Sequence, residues 1–438
     1  MSGACIRLSV ALSLIGVLTA CDGGNKTNAA TSAQAKAAAK PTYANEVQKL
    51  DAAIEHGLQL RARQPSDNLV PLEVVSLYQE RARLTGNYND YTKAEALLAS
   101  LSKGEKAPST QCLAHARLHY TLHRLTQASA ALEGCATTVE PTEIAALRAD
   151  IALYSGRYRE AENTYRALVN DVGISSQYVR LGLLKKWLGD PGEAAALLEA
   201  AEKRYHGGSP TMRAWLKLQR GLLALDRGRL DEALALYNLA SDELSGWWLI
   251  DEQIAEVKRL NSDTQAAKAL YENIINRSAQ PEHMDELARL LREGTTPEAA
   301  TEWIKRAENI YRERLKRFPE ASVGHAVDHF LQFGTPAEAL ALAQKNANLR
   351  PYGDAQIALA AALFRAGQAG AAADCIARVE ASGWNTAQLH AIAAQINAGL
   401  GRAAAADLQH AKALRMNPLA MRLYPLAQPV QPEIVSML

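Results

Sequence analysis

Charge of one sign is missing from this chain of 438 residues: 48 Lys and Arg stand against 47 Asp and Glu, a net charge of +1. A nucleic-acid binder carries a basic excess gathered on one face, so that class is excluded and no nucleic-acid partner is expected. Long apolar runs are missing too. With Met1 to Ala20 set aside, no stretch approaches the ~18 residues a membrane-spanning helix needs. Also missing are the alternating pattern of strands, a G-x-S-x-G elbow, a phosphate-binding glycine loop and any dinucleotide fingerprint following a strand. Without these, no enzyme and no cofactor are expected.

What the chain does have is self-similarity. A six-residue turn signature begins at Gly86, His123, Gly156, Gly189, Gly228, Asn261, Gly294, Gly334, Gly367 and Gly401, in steps of 37, 33, 33, 39, 33, 33, 40, 33 and 34 residues. It reads most clearly as Gly156-Arg-Tyr-Arg-Glu160-Ala161, and again from Gly189, Gly228, Gly294 and Gly334. Glycine leaves a helix through a left-handed conformation at little steric cost, and an acid in the next first turn meets the positive end of a helix dipole. Pro191, Pro297 and Pro336 support the same break. Apolar residues recur around it at helical spacing, as in Ile144, Leu147, Ile151 and Tyr154, then Tyr165 and Leu168. A period near 34 means helix-turn-helix units that stack, because one pair cannot bury its own apolar face.

These residues resemble the tetratricopeptide repeat family. The turn glycines match the family's glycine, and Ala128, Ala161, Ala194, Ala233, Ala266, Ala299, Ala339, Ala372 and Ala406 match its second-helix alanine, with Gly182 and Gly221 as the small residue of the first helix. His123 and Asn261 depart from the glycine. An insertion after Gly86 moves its alanine to Ala94, and the steps of 39 and 40 imply longer helices or loops around Tyr205–Ser209 and Arg312–Ser322. The resemblance implies an all-α, right-handed superhelical solenoid of about ten repeats over residues 43–415, with Tyr43 to Arg63 as an N-terminal cap. The proline-bearing segment 416–438 is expected to pack as an irregular tail.

Ahead of the repeats, Arg7 and the ten apolar residues Leu8 to Val17 read as an export signal over residues 1–20, too short to span a bilayer. Leu18-Thr19-Ala20-Cys21 resembles the lipobox of bacterial lipoproteins. That resemblance implies cleavage before Cys21 and acylation of it, a stable membrane anchor facing the periplasm. Residues 21–42 are then a flexible tether. Asp22 resembles the inner-membrane retention signal of enteric bacteria, and the choice between inner and outer membrane stays open.

Of the five cysteines, Cys112 and Cys135 bracket one repeat, 11 residues before and 12 after the His123 turn. In an antiparallel helix pair they face each other across the open end, where a periplasmic location permits a disulfide; two small buried thiols are the alternative. Cys375 has no partner and is expected to be a buried apolar residue. His115, His119 and His123 share a helix face at metal-bridging spacing, yet Cys112, His115 and His119 fall at packing positions of the repeat. His325-Ala-Val-Asp328-His329 resembles the H-x-x-E-H arrangement of inverted zinc peptidases, with aspartate in place of the base. No metal is expected from either.

Trp215 and Trp248, 33 residues apart, share one register position that faces the concave groove, with Trp187 from the preceding repeat near them. Aromatic rings are favoured at binding hot spots. Lys186, Asp226, Asp251 and Lys258 fall close by to orient a polar ligand. The alternative is that the three tryptophans fill gaps between repeats. The expected function is an interaction scaffold for a protein or peptide partner in the cell envelope, in envelope assembly or in secretion of pili or exopolysaccharide. Alternatives are a regulator of a cell-wall synthase or a metal-dependent hydrolase using His325 and His329.

Overall fold

A computed structural model describes residues 40–101, 111–135, 141–294 and 297–426. The export signal, Cys21 and the tether up to residue 39 lie outside the described residues.

The described residues form twenty-two α-helices and no strand. A leading helix α1 (Tyr43–Arg63) is followed by antiparallel pairs: α2 (Leu69–Thr85) with α3 (Tyr88–Leu101), α4 (Cys112–Thr121) with α5 (Leu125–Glu133), α6 (Pro141–Tyr154) with α7 (Tyr158–Asp171), α8 (Ser175–Trp187) with α9 (Pro191–Arg204), and α10 (Pro210–Asp226) with α11 (Leu230–Glu243). Five more pairs complete the array: α12 (Trp248–Leu260) with α13 (Thr264–Arg277), α14 (Pro281–Glu293) with α15 (Ala300–Arg317), α16 (Pro319–Phe333) with α17 (Pro336–Leu349), α18 (Gly353–Arg365) with α19 (Ala369–Ala381), and α20 (Ala387–Gly399) with α21 (Ala403–Met416). A short α22 (Ala420–Leu423) ends the described chain. Each of the ten turn signatures lies between the two helices of one pair, so the architecture is an all-α helical-repeat solenoid.

Local chemistry sets the helix starts. Asp190, Ser209, Asp263, Thr335 and Thr386 each accept a hydrogen bond from the backbone N–H three residues on, and proline opens α9, α10, α14, α16 and α17. Gly86, Gly156, Gly189, Gly228, Gly367 and Gly401 take the left-handed conformation, as does His123 at φ 58°. Gly294 and Gly334 do not: each leaves its helix extended, ahead of Pro297 and Pro336. In the sixth pair the left-handed residue is Ser262, not Asn261, and the buried alanine is Ala267, not Ala266.

The two helices of a pair bury different amounts of themselves. In α7 only Tyr158, Ala161, Tyr165 and Leu168 are buried, one amphipathic stripe. In α14 the run Pro281 and His283 to Leu291 is buried all round. First helices form the inner layer, covered on one side by second helices and on the other by the molecule's own next superhelical turn.

That closure is built from one offset of six pairs. Gln280, just before α14, donates its amide to the carbonyl of Gly86 at 3.2 Å. Arg124 at the second turn pairs with Glu320 of α16 at 3.5 Å, and the Gly156 turn lies against Pro351. The Asn385 N–H donates to Trp187 O at 2.9 Å, Asn417 Nδ2 donates to Leu225 O at 3.1 Å, and the Tyr43 N–H donates to Ser245 O at 2.9 Å. Rings join the turns as well: Tyr154 meets Tyr352 edge-on at 5.1 Å, and Trp187 stacks on Trp384 at 5.5 Å. Within the proline-bearing tail, α22 and Asn417 are thus packed onto the body, and Gln395 holds the Tyr424 carbonyl at 2.9 Å.

Candidate functional site

The space between the two superhelical turns is a lumen, not an open groove. Its main chamber has a volume of about 380 Å³ and is walled by α8, α10, α12, α14, α16, α18 and α20, with Tyr311 entering from α15. A second chamber of about 80 Å³ shares Leu249, Glu252, Glu282 and His325 with it.

Carboxylates dominate the polar wall. Asp226, Glu252, Glu282, Asp285, Glu286, Asp328 and Asp354 line the main chamber, against Lys186, Arg227, Arg415 and His325. Several are matched. Lys186 pairs with Asp226 at 2.6 Å, Glu286 with Arg289, and Glu282 with Arg314 at 3.7 Å and His325 at 3.3 Å. Asp285 holds His329 at 2.7 Å and accepts from the Tyr311 hydroxyl at 3.1 Å. Burial still pushes the Asp285 carboxyl up to about 6, its His329 contact opposing the rise. Asp354 is pushed up to about 7 by desolvation, with Lys186 acting against it and Asp226 adding to it. Glu252 Oε2 is buried without a hydrogen-bond partner, with His283 Nε2 3.7 Å away.

The tryptophan groove is corrected by this arrangement. Trp215 is 2% exposed inside α10, and Trp248 is buried with its indole N–H donating to Leu84 O at 3.0 Å across the turns. Trp187 does edge the lumen, but its face is taken by Trp384. Lys186 and Asp226 also reach the lumen, as a mutual pair. Asp251 pairs with Arg277 at 2.6 Å and Lys258 stands 3.9 Å from Asp263, both away from the chamber. The physical reason is the tight superhelix: the second turn covers the concave face, so register positions that face a groove face protein instead.

Cys112 and Cys135 are joined as a disulfide with Cα atoms 5.3 Å apart. Cys375 is a buried free thiol donating to the Gln356 carbonyl at 3.3 Å, and burial pushes its pKa up. His115 and His119 stack at 6.3 Å, while His123 occupies the turn beside Tyr154 at 5.4 Å; burial holds all three pKa values low. His325 and His329 turn to two different carboxylates of α14. Among the described residues no three His, Cys, Asp or Glu groups converge as a metal site requires. Asp226 is singled out from the sequence and Asp328 only within the His325 motif; Glu252, Glu282, Asp285, Glu286 and Asp354 escape sequence reading, although acids inside otherwise buried first helices, as in Pro281-Glu-His-Met-Asp285-Glu286-Leu, are the signal available.

The class is set by these observations: a helical-repeat solenoid whose turns close on an acidic interior. No family model matches the chain, and no curated protein does. Among solved structures it is similar to the Cut9–Hcn1 hetero-tetramer of the APC/C, at 15% identity and a TM-score of 0.46, over 85% of this chain and 66% of that one, short of two thirds. It is also similar to the human IFIT1 dimer with PPP-AAAA (16%, TM-score 0.43, covering 85% and 89%) and to Naa15/Naa10 bound to HypK-THB (12%, TM-score 0.28, covering 84% and 67%).

Proposed function

We propose that the chain is a non-enzymatic scaffold that binds a protein partner at a bacterial cell envelope, anchored by acylated Cys21 and facing the periplasm. The observation that supports it is the closure of the concave face by the second superhelical turn. Closure leaves the second helices as the long continuous surface, charged and exposed along α7, α11 and α15 at residues such as Arg159, Asp231 and Lys305. Solenoids of stacked pairs offer such extended faces without needing any one catalytic constellation. The Leu18 to Cys21 tetrad and the polar tether support the anchor, and envelope assembly or secretion of pili or exopolysaccharide is the setting.

The test places a photo-crosslinking residue at Arg159, Asp231 and Lys305 in turn, in living cells, beside a Cys21→Ser variant. The expected result is a discrete crosslinked protein from at least one outer position, and release or arrested processing of the Cys21→Ser chain. Absence of any crosslinked protein from all three positions removes the scaffold reading. Normal processing and membrane retention of the serine variant removes the anchor.

A further inference from the structure

The seam that joins the loop between α19 and α20 to the turn between α8 and α9 has a histidine behind it. On the seam itself the Asn385 N–H donates to Trp187 O at 2.9 Å and Trp384 stacks on Trp187. The Asn385 amide is seated on Gly189, where a Cβ would come 2.2 Å from Nδ2. Behind it His390, 5% exposed on α20, sits between two amides: Nε2 is 2.8 Å from Asn385 Oδ1, and Nδ1 is 2.6 Å from Gln409 Oε1. Gln409 in turn donates its Nε2 to Glu380 at 2.8 Å. One chain of bonds thus runs from α19 through α21 and α20 into the contact between superhelical turns. That chain settles where the proton moves. The Glu380 carboxylate takes the nitrogen end of the Gln409 amide, so the oxygen end faces Nδ1, which carries a hydrogen in either charge state. Nε2 is the nitrogen that gains and loses one. The two ends of the Asn385 amide exchange by rotation, so it shows its nitrogen to a neutral ring and its oxygen to a charged one.

We propose that His390 is a proton-operated latch on the superhelix: with its ring neutral, Asn385 holds the two turns together, and with the ring charged the loop lifts from Trp187 and opens the chamber along that edge. Trp187, Gly189, Pro191, Thr386 and Gln388, from both sides of the seam, line the chamber, so the seam is part of its wall. The surroundings favour the neutral ring while the seam is closed. Burial lowers the His390 pKa against the pull of Gln409; Lys412 and Arg415 of α21 lower it further, and Glu380 of α19, 3.8 Å from Nδ1, acts the other way. Glu380 also stands 3.6 Å from Lys412, so it offsets a charge on the ring only in part. The charges of the other neighbouring elements are directed elsewhere. Asp190 of the facing turn caps α9, Asp354 of α18 lines the chamber, and Arg422 of α22 donates to Leu260 O. Lifting the loop returns the ring to water and to its ordinary value of 6.5. Below that pH the closed seam binds fewer protons than the open one. Its stability is therefore full above 6.5 and falls as the pH drops from there toward the lowered value.

The experiment is amide hydrogen exchange on the full chain at pH 7 and pH 5, with exchange times scaled for the intrinsic effect of pH. On going to pH 5, exchange should quicken about tenfold at Asn385 and in residues 187–190. The seam between Asn417 and Leu225, whose bond involves no histidine, should keep its protection. His390→Gln, polar and unable to titrate, should remove the change. Asn385→Asp, which places a carboxylate at Nε2, should keep the seam closed at pH 5. The ring itself, followed by its NMR carbon shifts, should titrate below 6.5 in the parent chain and above it in Asn385→Asp. If His390→Gln fails to fold, the comparison of the parent with Asn385→Asp carries the test. Equal protection of the parent seam at the two pH values overturns the proposal. So does quickening that persists in His390→Gln, or a His390 titration at or above 6.5 in the parent. Partner capture at the outer helices has no bearing on these readings, so the latch and the scaffold reading fail separately.

Discussion

At the scale of single residues, the turn glycines have two roles that the sequence shows as one. Gly401 takes φ 70° with nothing within 4 Å of where a Cβ would stand, so only backbone conformation selects it. Gly228 takes the same φ, but a Cβ there would come 2.6 Å from Asn417 Oδ1 and 2.9 Å from Pro418 Cδ. Its glycine is also the gap into which the later turn of the superhelix docks. Asp354 shows the opposite kind of residue, one kept against the interests of stability. With its carboxyl at about 7, against an ordinary 3.8, the folded chain holds a proton that the unfolded chain has released. The folded state therefore loses stability as pH rises from about 4 toward 7, by roughly 1.4 kcal/mol per pH unit from this group. Asp354→Asn removes the titration. Its stability advantage over the parent chain should be small near pH 4, grow to neutral pH and then level off, as read from urea midpoints across that range. An advantage that does not vary with pH contradicts the assignment.

At the scale of elements, the period was legible and the phase was not. Ten turn signatures correspond to ten helix pairs because glycine, acid and alanine at fixed spacing each answer a local need. The buried alanine is four residues before a buried tyrosine in α7, α11, α13 and α15: Ala161 with Tyr165, Ala233 with Tyr237, Ala267 with Tyr271, Ala307 with Tyr311. By that rule the seventh pair packs through Ala307, and Ala299 is an exposed residue of the 3-10 turn Pro297–Ala299. The 40-residue step is thus a second helix about one turn longer than α7 or α11, 18 residues against 14, with the 3-10 turn Pro297–Ala299 ahead of it. Alanine is too common a residue to fix a register alone; the tyrosine, whose hydroxyl reaches Asp150 from Tyr165 and Asp285 from Tyr311, is the better marker. The shortest pair is the one that carries the disulfide. Helices α4 and α5 span 10 and 9 residues and bury few side chains between them. Cys112–Cys135, at a sequence separation of 23, closes a loop whose chain entropy is worth about 3 kcal/mol. Cys112→Ala with Cys135→Ala should lower stability by about that amount, checked by the urea midpoint under oxidising conditions. Reductant should bring the parent chain down to the same midpoint and leave the double variant where it is.

At the scale of the whole molecule, the closed superhelix changes what kind of solenoid this is. An open repeat array has only nearest-neighbour interfaces, and its units exchange and unfold nearly independently over a few repeats. Here a second network runs six pairs along the chain, joining residues 162 to 228 positions apart. It is invisible to any reading of local period, because several of its contacts are made by loop residues such as Gln280, Asn385 and Asn417 whose neighbours in sequence give no sign of it. The network also explains why the tryptophan positions lost their groove and why carboxylates of five inner helices share one chamber. Its energetic consequence is long-range coupling. Asn417 is fully buried, donates to Leu225 O at 3.1 Å and accepts from the Leu419 N–H at 2.8 Å, so it ties α22 and the tail to the α10–α11 turn 192 residues earlier. Asn417→Ala removes the bond between turns, leaving the Leu225 carbonyl to its local Gly228 N–H at 2.9 Å, and opens the seat at Gly228. Amide hydrogen exchange should then quicken at the C-terminal end of α10 and the start of α11 as well as in α20 to α22, with α6 and α7 unchanged. Quickening confined to α20 to α22 would mean that the stacked turns only touch, and that stability still passes along the chain from one repeat to the next.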